Sequence, residues 1–570
     1  MIRLESGLDV LLAGGAPHPR GRLALLCNPA SVTLDFVPAP QALLAAGLDV
    51  RVLFGPEHGL TGAAQDMEAV AAGEPSRLPA ISLYGETFGD LSPKDEHLED
   101  LDAVVCDLPD VGSRYYTFVW TITLVMKECA KRKIPVWVLD RPNPLGGEVV
   151  EGNLPEEKLL SFVGLHPVPV RHGMTPGEIA RWTNATQGFG CDLTVVPMRR
   201  DGRAPTRREI AETPAWVLPS PNMPTPETAL VYPGGCLVEG TNLSEGRGTT
   251  RPFELLGAPW LDADDAAERA NALGMPGVAF RPHVFRPTFQ KHAGRTCGGF
   301  QVHVTDAAAF RPYETYLRLL KALFDMDPDR FRWRTEKYEY REDVPAIDLL
   351  TGTATYRRLV SEGASLDPWI ASFRGDEARF VAQRRPHLLY PARRTSPAVL
   401  LVTGAHESGK TTVAVQIIES LVKQGLKVGS LKHTDHEYET DVEGKDSQRH
   451  KAAGAEPAVL VAGRSSAVHR SAPGRPALSD FLEGEYGLRD RDVVIVEGFR
   501  GEVSYPKIEV CRAATGRAPL CESDPNVVAV VTDFATRHNS SIPRFTFEET
   551  PGLLLLLRKS PLFSSLPQNP

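Results

Sequence analysis

Residues 404–411 read GAHESGKT, a complete match to the GxxxxGK[ST] pattern. The apolar run VLLVT precedes it, and KTTVAVQIIESLVKQG, with helical spacing, follows. A chain built this way must pass from a buried strand through a tight loop into a helix, which commits the C-terminal part to a parallel α/β sheet. In that geometry successive backbone N–H groups and the helix N-terminus converge on one anion. Gly404 and Gly409 allow the turn and a close backbone approach, and His406, Glu407, Ser408 and Thr412 complete the loop. Lys410 is placed for the β and γ phosphates of a nucleotide, and the Thr411 hydroxyl for Mg²⁺. A second apolar run, DVVIVEG at 492–498, ends in Glu497 and Gly498, so Thr411 and Glu497 are the candidate metal ligands.

The same alternation of strand and helix occurs earlier. LALLCNP at 23–29, DVRVLFGPEHG at 49–59, AISLYG at 80–85, AVVCDLPDVG at 103–112 and PVWVLDRPNP at 135–144 read as buried strands ending in polar turns. TFVWTITLVMKECAKRK at 117–133 reads as a long helix whose basic end suits its dipole. At 570 residues the chain exceeds the ~250–300 residues that one core supports. The expected architecture is α/β throughout. It comprises a Rossmann-like parallel-sheet subdomain (1–215), a smaller α/β subdomain (216–384), a Pro- and Arg-rich linker (385–397) and a P-loop NTPase domain (398–560). The Pro/Gly/Asn/Thr-rich stretch 218–257 reads as a long irregular binding segment that cannot form a regular helix.

A net charge of −9 gives no reason to expect nucleic-acid binding. The eight cysteines are scattered without a CxxC pair, as expected of reduced structural thiols in a cytoplasmic protein. The N-terminus lacks a secretory pattern, and no apolar run approaches the ~20 residues of a membrane span.

In parallel sheets, ligands bind at the carboxyl ends of the strands. The polar residues of the first half gather there. Asn28 follows one strand, Glu57 and His58 the next, Arg114, Tyr115 and Tyr116 another, and Asp140, Arg141 and Asn143 a fourth. The segment VEGTNLSEGRGTT at 238–250 adds Glu239, Asn242, Glu245 and Arg247. Carboxylates mixed with amide, hydroxyl and aromatic groups suit a sugar. The resemblance that these motifs carry to the exo-β-N-acetylmuramidase family implies glycoside hydrolysis, with one carboxyl as general acid and a second as base or nucleophile. Glu57 is the first choice, with Glu239, Glu245 and Asp140 competing for the second role and His58 placed to tune its neighbour. Arg114 and Arg247 are candidates for a bidentate grip on a substrate carboxylate, and Asn28, Tyr115, Tyr116, Arg141, Asn143 and Asn242 for other substrate contacts.

Two resemblances follow from these motifs. GPEHG, SLYG, DVGSRYYT, LDRPNPLGG, RHGMTPGE and EGTNLSEGRGT, in this order, resemble the exo-β-N-acetylmuramidase family, across about residues 23–389. The resemblance implies a Rossmann-like subdomain and a smaller one, with the active site between them. It also implies removal of MurNAc from the non-reducing end of a muropeptide or disaccharide, with no evident cofactor. The stretch GEPSRLPA at 73–80 is shorter than the corresponding loop usually is.

The P-loop, then KHTDHEYETDVEGKDSQRHKAAGA at 432–455, VVIVEGFRG and PKIEV resemble the molybdopterin-guanine dinucleotide synthesis protein B family, across about 398–557. That resemblance implies GTP and Mg²⁺, weak GTPase activity, a homodimer and a guanylyltransferase partner in molybdenum cofactor synthesis. It carries over Lys432, His433, Asp435, Asp441, Lys445, Asp446, Ser447 and Arg449 as motif residues, Lys432 and Asp435 among them as nucleotide-binding, and Glu497 as the acidic strand end. Arg500 stands where the family often has lysine. His433, His436 and His450 lack regular ligand spacing and read as surface or network histidines. The expected function is a bifunctional chain. The alternative is a GTP-binding adaptor carrying an inactive sugar-binding domain.

Overall fold

A computed structural model describes residues 4–60, 78–200, 204–211, 216–390, 397–424, 426–433, 458–462 and 465–469. From 477 to 556 it describes all but 484–487, 489, 490, 517–520, 522, 535–541, 550, 551 and 554. The chain divides into two compact units, Met1–Arg393 and Arg394–Pro570.

The first unit is built on a six-stranded sheet. Its strands, in chain order, are β1 (Arg22–Cys27), β2 (Asp49–Gly55), β3 (Ala80–Ser82), β4 (Ala103–Asp107), β5 (Val136–Leu139) and β6 (Leu193–Val196). They pair in parallel in the spatial order β3-β2-β1-β4-β5-β6, the doubly wound arrangement of dinucleotide-binding folds. β1 and β4 are apolar at almost every position because both faces of the sheet are covered. Helix α1 (Phe118–Arg132) lies buried along most of its length and ends at Lys133, whose left-handed φ of 58° returns the chain N–H to the last turn. Helix α2 (Pro176–Thr186) starts with a Thr175/Glu178 capping box.

The smaller subdomain holds a three-stranded antiparallel sheet, β7 (Leu255–Ala258), β8 (Val278–Phe285) and β9 (Cys297–Val304), in the order β8-β9-β7. Around it pack α3 (Pro226–Gly235), α4 (Ala263–Asn271), α5 (Pro312–Met326) and α6 (Asp367–Arg384). Helix α3 corrects the expectation that 218–257 is wholly irregular. Thr225 caps it by accepting the N–H of Thr228, and Pro226 occupies a first-turn position where no N–H is needed. The Pro-Gly-Gly end that argued against a helix instead permits close packing. A Cβ on Gly234 would stand 2.2 Å from the Pro312 carbonyl oxygen at the start of α5.

The expected linker also begins later than residue 385. Arg385–His387 forms a short 3-10 turn, and Tyr390 is buried in the first unit, donating its hydroxyl to Asp140 and accepting the Met198 N–H.

The second unit carries a second parallel sheet: β10 (Ala398–Gly404), β11 (Val428–Lys432), β12 (Val493–Glu497), β13 (Lys507–Cys511), β14 (Val527–Thr532) and β15 (Arg544–Phe545), ordered β11-β12-β10-β13-β14-β15. Helix α7 (Lys410–Lys423) follows β10 directly and buries Val413, Ala414, Ile417 and Leu421 against the sheet. The expected fold class is the observed one. All eight cysteines are buried and free of disulfides. Among the described residues no helix is long and apolar enough to cross a membrane.

Candidate functional site

A cavity of about 430 Å³ opens between the two subdomains of the first unit. The parallel sheet contributes Glu57 and His58, from the loop after β2, and Tyr115, Tyr116 and Thr117, from the segment entering α1. The smaller subdomain contributes Tyr232, Glu239, Arg247, Phe253, Tyr338 and Glu339. The Thr117 hydroxyl, at the start of α1, donates to Glu57 Oε2 at 2.6 Å and orients it. Glu239 is held at both oxygens, by Arg247 Nη2 at 2.6 Å and by the Tyr338 hydroxyl at 2.7 Å. Burial alone would raise its pKa, but Arg247, Tyr338 and the nearby Lys291 outweigh it and hold the carboxyl below its ordinary value. Glu245 stands behind this pair, bonded to Lys291 Nζ at 3.0 Å and 3.4 Å from Arg247 Nε. Tyr115, Tyr116, Tyr232 and Phe253 form an aromatic wall, with ring centroids 4.8–6.4 Å apart, and Arg247 lies over Phe253 at 5.1 Å.

The backbone is strained where it borders the cavity. His58, Phe253 and Glu339 line it with φ of 70°, 64° and 45°, and Tyr340 follows at 66°. Non-glycine residues in this region cost about 1–3 kcal/mol each and persist where surrounding structure enforces them, often at functional sites.

Of the residues singled out from sequence, Glu57, His58, Tyr115, Tyr116, Glu239 and Arg247 meet at the cavity, and Glu245 supports them. Others are engaged elsewhere. Arg114 is fully buried, does not line the cavity, and donates to the carbonyl oxygens of Asn153, Val168 and Leu350. Asp140 accepts from Tyr390, Thr175 and the N–H groups of Arg141 and Gly177, tying α2 and the chain end to β5. Burial, with Glu178 nearby, pushes its pKa up to about 7 against the pull of those donors. Arg141 is bidentate to Asp107, at 2.5 and 2.7 Å. Asn28 bonds the Pro219 carbonyl, Asn143 that of Met174, and Asn242 bridges to Arg330 and Arg332. These four are loop fasteners. Tyr232, Tyr338 and Glu339 were not anticipated. The one signal for them is that 232 falls in the Pro/Gly-rich segment already suspected of binding; nothing local marks 338 and 339.

The second unit presents the other site. Gly404, at φ 153°, lies so close to β13 that a Cβ would stand 2.2 Å from the Val510 carbonyl oxygen. Gly409 has φ 96° and opens α7, and Glu407 also has positive φ. The Lys410 ammonium rests on the Ala405 carbonyl oxygen at 2.5 Å, and burial lowers its pKa, with Glu497 opposing and Lys432 and Arg500 adding to the effect. The Thr411 hydroxyl is 2.8 and 2.9 Å from the two oxygens of Glu497, and Lys432 Nζ is 3.2 Å from Glu497. His406, Glu407 and Thr412 are exposed, and Ser408 is buried beneath the loop. Gly498 bonds back to Val402, and the His433 N–H to the Glu497 carbonyl oxygen. Asp435, His436, Asp441, Lys445, Asp446, Ser447, Arg449 and His450 lie outside the described residues.

Residues 23–227 match the exo-β-N-acetylmuramidase NamZ N-terminal family, residues 230–390 its C-terminal family, and residues 399–533 the molybdopterin guanine dinucleotide synthesis protein B family. The peptidoglycan β-N-acetylmuramidase NamZ of Bacillus subtilis is 39% identical over 393 residues, 68% of this chain and 92% of that protein. The molybdopterin-guanine dinucleotide biosynthesis adapter protein of Haemophilus influenzae is 36% identical over 136 residues, 24% of this chain and 75% of that protein. A crystal structure of a DUF1343 family protein from Bacteroides fragilis is similar, with a TM-score of 0.60 at 29% identity, covering 68% of this chain and 100% of that one. The chain therefore belongs to the exo-β-N-acetylmuramidase NamZ family over residues 23–390 and to the molybdopterin guanine dinucleotide synthesis protein B family over residues 399–533.

Proposed function

We propose that the first unit hydrolyses the terminal β-glycosidic bond of MurNAc at the cavity between its subdomains, and that the second unit binds GTP with Mg²⁺ at the loop 404–411. The observation that carries the first half is the convergence of Glu57 from the parallel sheet with Glu239, Arg247 and Tyr338 from the smaller subdomain on one cavity. The aromatic wall supplies flat apolar faces for the C–H surfaces of a sugar ring. Glu57, fixed by Thr117, reaches the reacting end of the sugar. Glu239, held as a carboxylate by Arg247 and Tyr338, stabilises positive charge developing at the anomeric carbon. Arg247 is the cation that can grip the lactyl carboxylate of MurNAc, since Arg114 is committed to backbone carbonyls.

In the second unit the facing oxygens of Thr411 and Glu497 are a donor set suited to a hard divalent cation. Mg²⁺ held there would neutralise phosphate charge. Lys410 and the amides at the start of α7 would cradle the phosphates. A molybdenum cofactor guanylyltransferase as partner and a homodimer through this unit complete the reading. Two measurements on the purified chain test it: release of 4-nitrophenol from its MurNAc β-glycoside, and Mg²⁺-dependent GTP binding. Absence of the first leaves a sugar-binding module; absence of the second removes the adapter role.

A further inference from the structure

The phosphate loop of the second unit has different neighbours on its two sides. On one side β12 flanks β10 and ends in Glu497, which faces Thr411. The cation and the terminal phosphates belong there. A nucleoside must then extend over the other side, across the carboxyl ends of β13, β14 and β15. Three side chains stand within two residues of those ends: Arg512, Asp533 and Phe547.

Contacts join them to the loop and to one another. The half-buried Phe547 ring lies against the loop itself, since a Cβ on Gly409 would stand 3.0 Å from its Cε1. The Arg512 guanidinium carbon is 4.3 Å from the centroid of the same ring, and Arg512 Nε donates to the Ser408 carbonyl oxygen at 3.3 Å. One residue on, the Ala513 N–H donates to Asp533 Oδ1 at 2.9 Å and orients that carboxylate. Arg512 and Asp533 are both exposed. The end of β14 lies two places from β10, about 10 Å at the usual spacing of ~4.8 Å per strand, a span that a ribose bridges.

We infer that Arg512, Phe547 and Asp533 form the base subsite of the nucleotide site and select guanine, an assignment that rests on the GTP-binding reading of this unit. A guanidinium backed by an aromatic ring presents its outer planar face for a purine to stack on. Stacking accepts any base, so the choice among bases falls to Asp533. A carboxylate accepts hydrogen bonds and donates none. The Watson–Crick edge of guanine presents two adjacent donors, N1–H and the N2 amine, which one carboxylate can take together. The same edge of adenine presents the N1 lone pair, and that of xanthine a carbonyl oxygen at C2. A carboxylate repels both.

Calorimetry of the full chain in Mg²⁺ with GTP, ATP and XTP tests this. The parent chain should bind GTP at least about tenfold more tightly than ATP or XTP, the scale of one hydrogen bond to a charged group. Asp533→Asn keeps an oxygen to accept from Ala513, so it should melt with the parent, but it replaces one acceptor by an amide donor. Its affinity for GTP should fall by at least about the same factor, and XTP should become the tighter ligand of the two. Arg512→Lys keeps the charge and loses the planar face, and should weaken all three ligands without changing their order. Equal binding of GTP and ATP by the parent, a preference for GTP over XTP that Asp533→Asn leaves intact, or parent-like binding by Arg512→Lys overturns the assignment while nucleotide binding at the loop stands. No binding of any of the three by the parent chain removes the GTP reading itself.

Discussion

The Tyr338 hydroxyl stands 2.7 Å from Glu239 Oε2, joining two segments of the smaller subdomain that are 99 residues apart in sequence. Together with Arg247 it holds a carboxylate charged inside a cavity where burial alone would neutralise it. The pKa of Glu239 is depressed on folding. Its contribution to stability is therefore present above the ordinary carboxyl range and is lost as pH falls through the lower folded value.

Tyr338→Phe removes one of the two donors. The variant should be less stable at pH 7 by about 1.5–3 kcal/mol, as for a hydrogen bond to a charged group. The deficit should shrink toward pH 3, where Glu239 is protonated in the unfolded chain and progressively in the folded one. Denaturant melts across pH check this, and kcat on a MurNAc glycoside should fall with the loss of fixed charge. A deficit independent of pH would mean that Tyr338 acts only by packing.

Arg114→Ala and Arg247→Ala should separate cleanly. Three buried carbonyl oxygens lose their donor in the first, so it should cost several kcal/mol, at about 1–3 kcal/mol for each unsatisfied group. Any fraction that folds should keep the parent KM. Arg247→Ala frees Glu239 at the cavity wall and should change KM and kcat together. Steady-state kinetics beside thermal melts distinguish the two outcomes.

Asp140 titrates in the opposite sense to Glu239. Its folded pKa, about 7, is raised, so the stability tied to its protonated form is complete at acid pH and is lost as pH rises through neutrality. Tyr390→Phe withdraws a donor that favours the ionised form. The gap in melting temperature between variant and parent should widen from pH 5 to pH 8. A gap that stays constant across that range would show Asp140 to be ionised throughout.

Lys410→Ala should abolish GTP binding by calorimetry and leave release of 4-nitrophenol from a MurNAc glycoside unchanged. Thr411→Val, which keeps the size of the side chain but removes the oxygen facing Glu497, should weaken binding in Mg²⁺ far more than in EDTA. A fall in glycosidase rate in either variant would reveal coupling between the units.

The sequence was most legible where a motif is contiguous. The loop at 404–411 carries its own strand and helix, and the buried parallel strands show as continuous apolar runs. The cavity was half legible. Glu57, Glu239 and Arg247 sit in polar segments after apolar ones, but so do Asp140, Asn143 and Arg141, which fasten loops instead. A polar residue after a strand end looks the same in sequence whether it faces a ligand or a neighbouring carbonyl. Glu339 escaped notice because the two-residue hairpin it shares with Tyr340 lacks the Asn and Gly that announce such turns. Contacts with residues far away in the chain, 85 and 239 among them, help to hold it in place. Helix α3 was missed for a related reason: Pro and Gly usually break helices, and here they serve a cap and a close crossing.

Doubly wound sheets receive dinucleotides in the crevice where the strand order reverses, which in the first unit lies between β1 and β4. That gap is occupied by the chain's own side chains. Arg141 clamps Asp107 and reaches the Val32 carbonyl oxygen, and Ser31 bonds the Asp107 carbonyl. Although the polypeptide contains two sheets of nucleotide-binding topology, a titration with nucleotide should saturate at a single equivalent, and the sugar has to seek the neighbouring cleft that the smaller subdomain completes.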